Sequence, residues 1–314
     1  MLLSTNIHDA HLDGDLGKLP AALGRIAAAG LHGAELSIPG LDAIRNGKLD
    51  RRKVQEVCAI LAYSPLSISF HAPDALDLMD REESLLQRQV LGACLELCSQ
   101  VGAKILVLHP GRWVNENDFG VKKRFRPTPE EAQERMEEEA ILLREAADAF
   151  PEVTIALENA RPFLPYSPYC YAEFPQQLAQ QVERVARPNV RACLDTGHLH
   201  MAARLHGFDA IDAVQRLGHR IVHLHVHDNF GRTGNWSEKT QTQLLPFGKG
   251  DLHMPPGMGD IDFAALLGEF LGSFDGITVC ELRNRYLHDF ETHMNTFRDL
   301  MSRLRHESPT AFLV

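Results

Sequence analysis

The chain has no CxxC pair, no apolar run near the ~20 residues a membrane helix needs, and no excess of basic residues. Each absence excludes something. Its six cysteines are scattered at 58, 94, 98, 170, 193 and 280. Several lie in apolar runs such as RACLD and TVCEL, so they read as buried free thiols in a reducing compartment. The opening MLLSTNIHDAHLDGD lacks the basic start and apolar core of a secretory leader, so a cytoplasmic protein is expected, with no membrane contact. With 32 Lys and Arg against 42 Asp and Glu, the formal charge is −10. Phosphate-backbone binding relies on dense basic patches, so nucleic acid is not an expected partner. No GxGxxG follows the first apolar run, which argues against a dinucleotide-binding fold. Nor does any linker or low-complexity segment divide the chain, and one domain over 1–314 is expected.

What is present is a rhythm. Short apolar runs at 2–7, 33–38, 66–70, 104–109, 153–159, 190–195, 220–228 and 276–282 alternate with longer stretches of helical periodicity. Thr128-Pro129-Glu130-Glu131 supplies a cap, a first-turn proline and acidic residues for the positive end of one such helix. Eight strand–helix repeats predict an α/β fold, a closed (β/α)8 TIM barrel, with a doubly wound open sheet as the structural alternative. Two long segments, 160–173 and 229–260, follow the fifth and seventh strands, where barrel enzymes carry their binding loops.

Polar residues gather at the strand ends. In order they are His71, His109, Glu158, Asp195 with His198 three residues on, the histidines of HLHVHDNF, and Glu281; Asp251 and His253 follow as D-x-H. Any one of them could be a hydrogen-bonded structural group or a helix cap. Together at one barrel mouth, crowded carboxylates would be forced to protonate unless cations relieve them. Imidazole and carboxylate are ligands of zinc, manganese and iron, so a metal site is expected.

The motifs FHAP, LHPG, LEN, LDTGH, HxxD, DxHxxPGxGxIDF and CEL occur in an order that resembles the xylose isomerase-like barrel superfamily, which holds sugar isomerases and epimerases together with endonuclease IV. The resemblance runs from the first strand to about residue 300. It implies a core metal on Glu158, Asp195, His225 and Glu281. It also implies room for two further ions, one on His71 and His109 with Glu158 bridging, the other on His198, Asp251 and His253. The implied cofactor is zinc or manganese, one to three ions. The implied activity is isomerisation or epimerisation of a small sugar, sugar phosphate or sugar-derived acid through a metal-stabilised enediolate. Glu158 and Glu281 would move the proton, and His198 would steady substrate oxygens or hold an ion. Endonuclease IV-like phosphoester hydrolysis is the alternative, and a sugar- or metal-binding barrel without turnover is the third reading. Two departures weigh against DNA. Asp74 of HAPDALDL stands where the nuclease has an aromatic, and VHDNFGR lacks the nuclease's lysine.

Expected substrate contacts are Trp113, His227 and Arg283. Trp113 and Trp236 could stack on a sugar or pack loop against barrel. Arg112, Arg161, Arg283 and Arg285 could grip an anion or form surface ion pairs. Glu35 is expected to hydrogen-bond a metal ligand and His223 to be bonded in the core, while His8 and His11 stay ambiguous. The basic run 122–127 reads as a solvated loop. A homo-oligomer is left open.

Overall fold

The computed structural model describes residues 1–307 apart from 116, 117, 122, 124 and 236–242. Trp236 and part of the basic run 122–127 therefore lie outside the described residues. Eight strands form where the apolar runs are: Leu2–Ile7 (β1), Gly33–Ser37 (β2), Ser67–His71 (β3), Ile105–Leu108 (β4), Thr154–Glu158 (β5), Val190–Asp195 (β6), Ile221–Val226 (β7) and Ile277–Cys280 (β8). Each pairs in parallel with the next, and β1 returns to β8 through Leu2 opposite Ile277 and Ser4 opposite Val279. That last pairing closes the barrel and overturns the open-sheet alternative. Helices Leu19–Ala28, Arg51–Leu61, Ser84–Val101, Pro129–Ala149, Pro175–Val185, Ala210–Leu217, Phe263–Leu271 and Phe290–Glu307 surround it. Among the described residues no helix is long and apolar enough to cross a membrane.

Strand alternation divides the apolar residues into two cores. On β4, Leu106 and Leu108 join the large cluster between sheet and helices, whereas Ile105 and Val107 pack with Ala156 and Cys193 in a small separate cluster. The second set fills the barrel interior. At the next inward positions up each strand the chain changes from apolar to ionisable: Val107 gives way to His109, Ala156 to Glu158 and Cys193 to Asp195. A register shift between Ala192 and Cys193 brings Asp195 beside His225 on β7.

Local signals fix several elements around this mouth. The Thr128 side chain accepts from the Glu131 amide, and Glu131 reciprocates to the Thr128 amide, closing a capping box. Asp195 ends β6 and also caps helix Thr196–His206, its Oδ1 accepting from the His198 amide at 2.6 Å. One residue thus sets both a strand end and the place of His198.

Candidate active site and metal centre

The β2 end provides the base of the site. Glu35, buried in the barrel, lies 2.7 Å from His223 Nε2 and 2.8 Å from His225 Nε2, and accepts from Ser69 Oγ at 3.0 Å. With Nε2 of His225 facing Glu35, its Nδ1 points up the barrel into carboxylates. Glu158 Oε1 and Glu281 Oε2 are each 3.3 Å from that nitrogen, and Asp195 Oδ2 is 3.8 Å away. Metal–ligand bonds of ~2.1 Å place neighbouring ligands roughly 3.0–3.5 Å apart, a spacing that Glu158 and Glu281 meet and that Asp195, at 3.8 Å, exceeds slightly. Glu35 is placed to orient the histidine.

Glu158 is the hub. Its Oε2 lies 3.3 Å from His71 Nε2 and 3.2 Å from His109 Nε2, and its Oε1 lies 3.2 Å from His198 Nδ1. Burial raises its pKa, but His225 and His109, aided by His198, outweigh that and hold the carboxyl well below its usual range. Burial likewise opposes charge on His71, yet Glu158 and then Asp74 raise it to about 10.

A third cluster surrounds Asp251. Its Oδ2 is 2.7 Å from His253 Nε2, 3.2 Å from His198 Nε2 and 3.0 Å from Arg161 Nη1. Ligand atoms of His198, His227, Asp251 and His253 all lie within 4.8 Å of one another, and all four residues are buried. Asp251 Oδ1, His227 Nδ1 and His253 Nδ1 are buried with no hydrogen-bond partner among the described residues, a cost that a cation would remove. His253 also holds a positive φ of 44°, backbone strain of the kind that collects at functional sites.

Above these groups opens a cavity of about 430 Å³ lined by Glu35, His71, His109, Glu158, His198, His253 and Glu281, with Arg112, Arg161 and Arg283. All nine expected metal-ligand residues thus fall into three touching clusters, and Glu158, Glu281 and His198 line the cavity. Arg283 lines it, and so does His8. Two of the residues expected to touch substrate, His227 and Trp113, are not among those that line the cavity. His227 is fully buried against Asp195, with Nε2 at 3.0 and 3.1 Å from its oxygens, and stacks on His253 at 4.2 Å. It lies one residue past β7, in step with His223 and His225, and its ring is taken up by other groups of the site. Trp113 lines a separate cleft with Phe125 and Arg135, its ring 6.3 Å from Tyr171, and packs loop against barrel. The aromatic rings at the cavity are Phe119 and Phe163, 5.6 Å apart, from loops after β4 and β5. The length of loop 160–173 pointed to that region; nothing in the local pattern singled out either ring. Asp74, a departure from the nuclease motif, lies 4.0 Å from Nδ1 of both His71 and His109.

Asp228, the last residue of HxxD, holds a loop. Its oxygens accept from the amides of Gly257 and Gly259 at 2.9 Å, Asn229 at 2.9 Å and Ile261 at 3.2 Å. A Cβ on Gly259 would sit 2.3 Å from Asp228 Oδ1, which explains why the PGxG segment needs that glycine. Gly197 is constrained in the same way by His227, whose Cε1 lies 2.0 Å from where its Cβ would be. Gly197→Ala must displace that ring, and urea unfolding is expected to show a loss of about 1–3 kcal/mol. An unchanged midpoint would mean that the ring moves freely.

A family model described as xylose isomerase-like TIM barrel matches residues 23–306. No curated protein matches the chain in sequence. Among solved structures, a D-tagatose 3-epimerase-like protein superposes with a TM-score of 0.68 at 18% identity, covering 98% of this chain and 99% of its own. D-psicose 3-epimerase from Clostridium cellulolyticum H10 gives 0.67 at 13%, covering 97% and 99%. The 3-keto-D-glucoside 4-epimerase of E. coli gives 0.65 at 16%, covering 95% and 99%. At these identities the likeness concerns the fold.

Proposed function

Because the chain belongs to the xylose isomerase-like TIM-barrel family, we propose that it is a divalent-metal-dependent isomerase or epimerase of a small carbohydrate. Zinc or manganese would be held by Glu158, Asp195, His225 and Glu281. The observation that carries this is the convergence of those carboxylates on His225 Nδ1, with Glu158 and Glu281 also facing the cavity. The names of the structural relatives, sugar epimerases, support the same chemistry.

A bound cation would polarise a substrate carbonyl and so acidify the neighbouring C–H. The rest is done by side chains. Glu158, whose carboxylate faces the cavity, would accept a proton from carbon. Glu281, whose side chain is 14% exposed, is the carboxyl group best placed to exchange a proton with the substrate's other face. His198 is fixed by Asn159 O at 2.9 Å from Nδ1 and by Asp251 at Nε2, so its ring holds a constant position at the cavity wall. A second reading, phosphoester hydrolysis with up to three ions, is favoured by the His71–His109–Glu158 and His198–Asp251–His253 clusters.

Protein loaded with manganese or zinc, incubated with a panel of ketoses and sugar acids in D2O, is expected to place deuterium on the carbon beside the carbonyl or to interconvert isomers without exchange. Absence of both across the panel removes this reading. Cleavage of a duplex containing an abasic site, or of small phosphoesters, would install the second.

A further inference from the structure

Four histidines meet Glu158, and what stands behind each ring decides which of its nitrogens is left for a cation. His71 Nδ1 lies 2.8 Å from the Ala72 carbonyl, and His198 Nδ1 lies 2.9 Å from the Asn159 carbonyl. A carbonyl only accepts, so both Nδ1 atoms carry hydrogen and the lone pair of each neutral ring sits on Nε2. In His225 the Glu35 carboxylate takes Nε2, and the lone pair falls on Nδ1. Each of these lone-pair nitrogens lies 3.2–3.3 Å from a carboxylate oxygen of Glu158 or Asp251, where a shared cation would fit.

His109 differs. Its Nδ1 lies 3.2 Å from Nη2 of Arg112, and that same Nη2 donates to the Asp74 carbonyl at 2.6 Å. A guanidinium has only N–H donors and keeps its charge in proteins. His109 Nδ1 must therefore accept, and the hydrogen of the ring sits on Nε2. That nitrogen faces Glu158 Oε2 at 3.2 Å. In this tautomer His109 has no lone pair to give to an ion between His71, His109 and Glu158.

Arg112 cannot swing aside at low cost, being only 3% exposed. Its amide donates to Asp77 Oδ1 at 3.1 Å, and its backbone pairs with Cys170. The residue before it is held as well. The Gly111 amide donates to the buried Glu139 carboxylate at 2.6 Å, and a Cβ on Gly111 would sit 2.4 Å from Met79.

We propose that Arg112 takes His109 out of the metal-ligand set, so that His71 and His109 share no ion and His109 presents its N–H to Glu158. His109 is then a positioning residue for the Glu158 carboxylate. The proposal rests on reading the cavity as a metal centre, and it narrows that centre to the core ion and the Asp251 cluster. Phosphoester hydrolysis loses one of the three ions it could use.

Nitrogen NMR of histidine-labelled, zinc-loaded protein tests it, together with elemental analysis after desalting. The His109 signals are identified by their loss in His109→Gln. In loaded wild type, the His109 ring is expected to carry hydrogen on Nε2 and none on Nδ1, as an uncoordinated ring does. His109→Gln should retain as many zinc ions per chain as wild type. Arg112→Met, which offers no donor, is expected to hold one zinc ion more than wild type, whereas Arg112→Lys, still a donor, should not. Should Arg112→Met fail to fold, the wild-type ring and the His109→Gln count decide the matter. A zinc-bound Nε2 on His109 in wild type, or loss of an ion in His109→Gln, overturns the proposal. A folded Arg112→Met with the wild-type count overturns it too. An unchanged count in His109→Gln, without isomerisation of any sugar, would remove the reaction and keep this proposal. Isomerisation by a protein that loses an ion in His109→Gln would do the reverse.

Discussion

Glu158→Gln is expected to lower kcat/KM for isomerisation by at least about 10³-fold, with the barrel still folded. Glutamine preserves the shape of the side chain and removes its charge. Four imidazole nitrogens, on His71, His109, His198 and His225, lie 3.2–3.3 Å from the two oxygens of Glu158. An amide cannot accept from all of them, since its nitrogen is a donor. The proton acceptor is therefore lost, and the hub of the ligand set is weakened with it. Elemental analysis separates these two effects. Glu281→Gln alters the partly exposed edge of the same cluster, so it should lose turnover while retaining more metal than Glu158→Gln. Turnover of Glu158→Gln within tenfold of wild type would show that the proton moves elsewhere.

How much of this site could be read from sequence depends on where strand periodicity ends. The eight strands lie within about two residues of the apolar runs, because a barrel strand is buried on both faces and reads as a continuous run. The ligand positions sit at or one residue past those runs, where alternation still fixes direction. His71, Glu158 and Asp195 are the last residues of β3, β5 and β6, and His109 and Glu281 follow β4 and β8 directly. His223 and Glu35 also fell into their expected places, the one bonded in the core and the other against His225, since both are inside paired strands. Direction alone does not tell what a side chain will meet. His227 keeps the spacing of His223 and His225, one residue past β7, yet its ring is buried against Asp195 and His253 and is not among the residues that line the cavity. Trp113, Phe119 and Phe163 occupy loops whose course is decided by contacts distant in sequence. Trp113 N–H donates to the Tyr169 carbonyl, and Phe119 stacks on Tyr166 at 4.1 Å. No local periodicity records such contacts.

In the metal-free protein, unfolding free energy is expected to be greatest between about pH 4.5 and 6.5, falling by on the order of 3–5 kcal/mol toward pH 9.5. The sign follows from which way each group is shifted. Burial opposes charge on His71, His198, His225 and His227, but neighbouring carboxylates raise all four above their unfolded value, His71 to about 10. The folded state therefore binds protons more tightly, and its advantage is complete below 6.5 and lost as pH rises through the folded values. For Glu158, Asp195 and Asp251, burial raises the pKa but the histidines lower it further, so their contribution is present above about 4 and vanishes in acid. A divalent cation reverses the alkaline arm, because imidazole must be neutral to ligate, so proton release accompanies binding. Stabilisation by zinc or manganese should thus increase from pH 5.5 to 8.5, reaching about 2.7 kcal/mol once free metal exceeds Kd a hundredfold. Urea unfolding at pH 5.5, 7 and 8.5, with chelator or with metal, reads both arms in one series. Metal-free protein equally stable at pH 6 and 9 would mean that the histidine cluster stays neutral without a cation. A metal effect larger at pH 5.5 than at 8.5 would mean that the histidines are not its ligands.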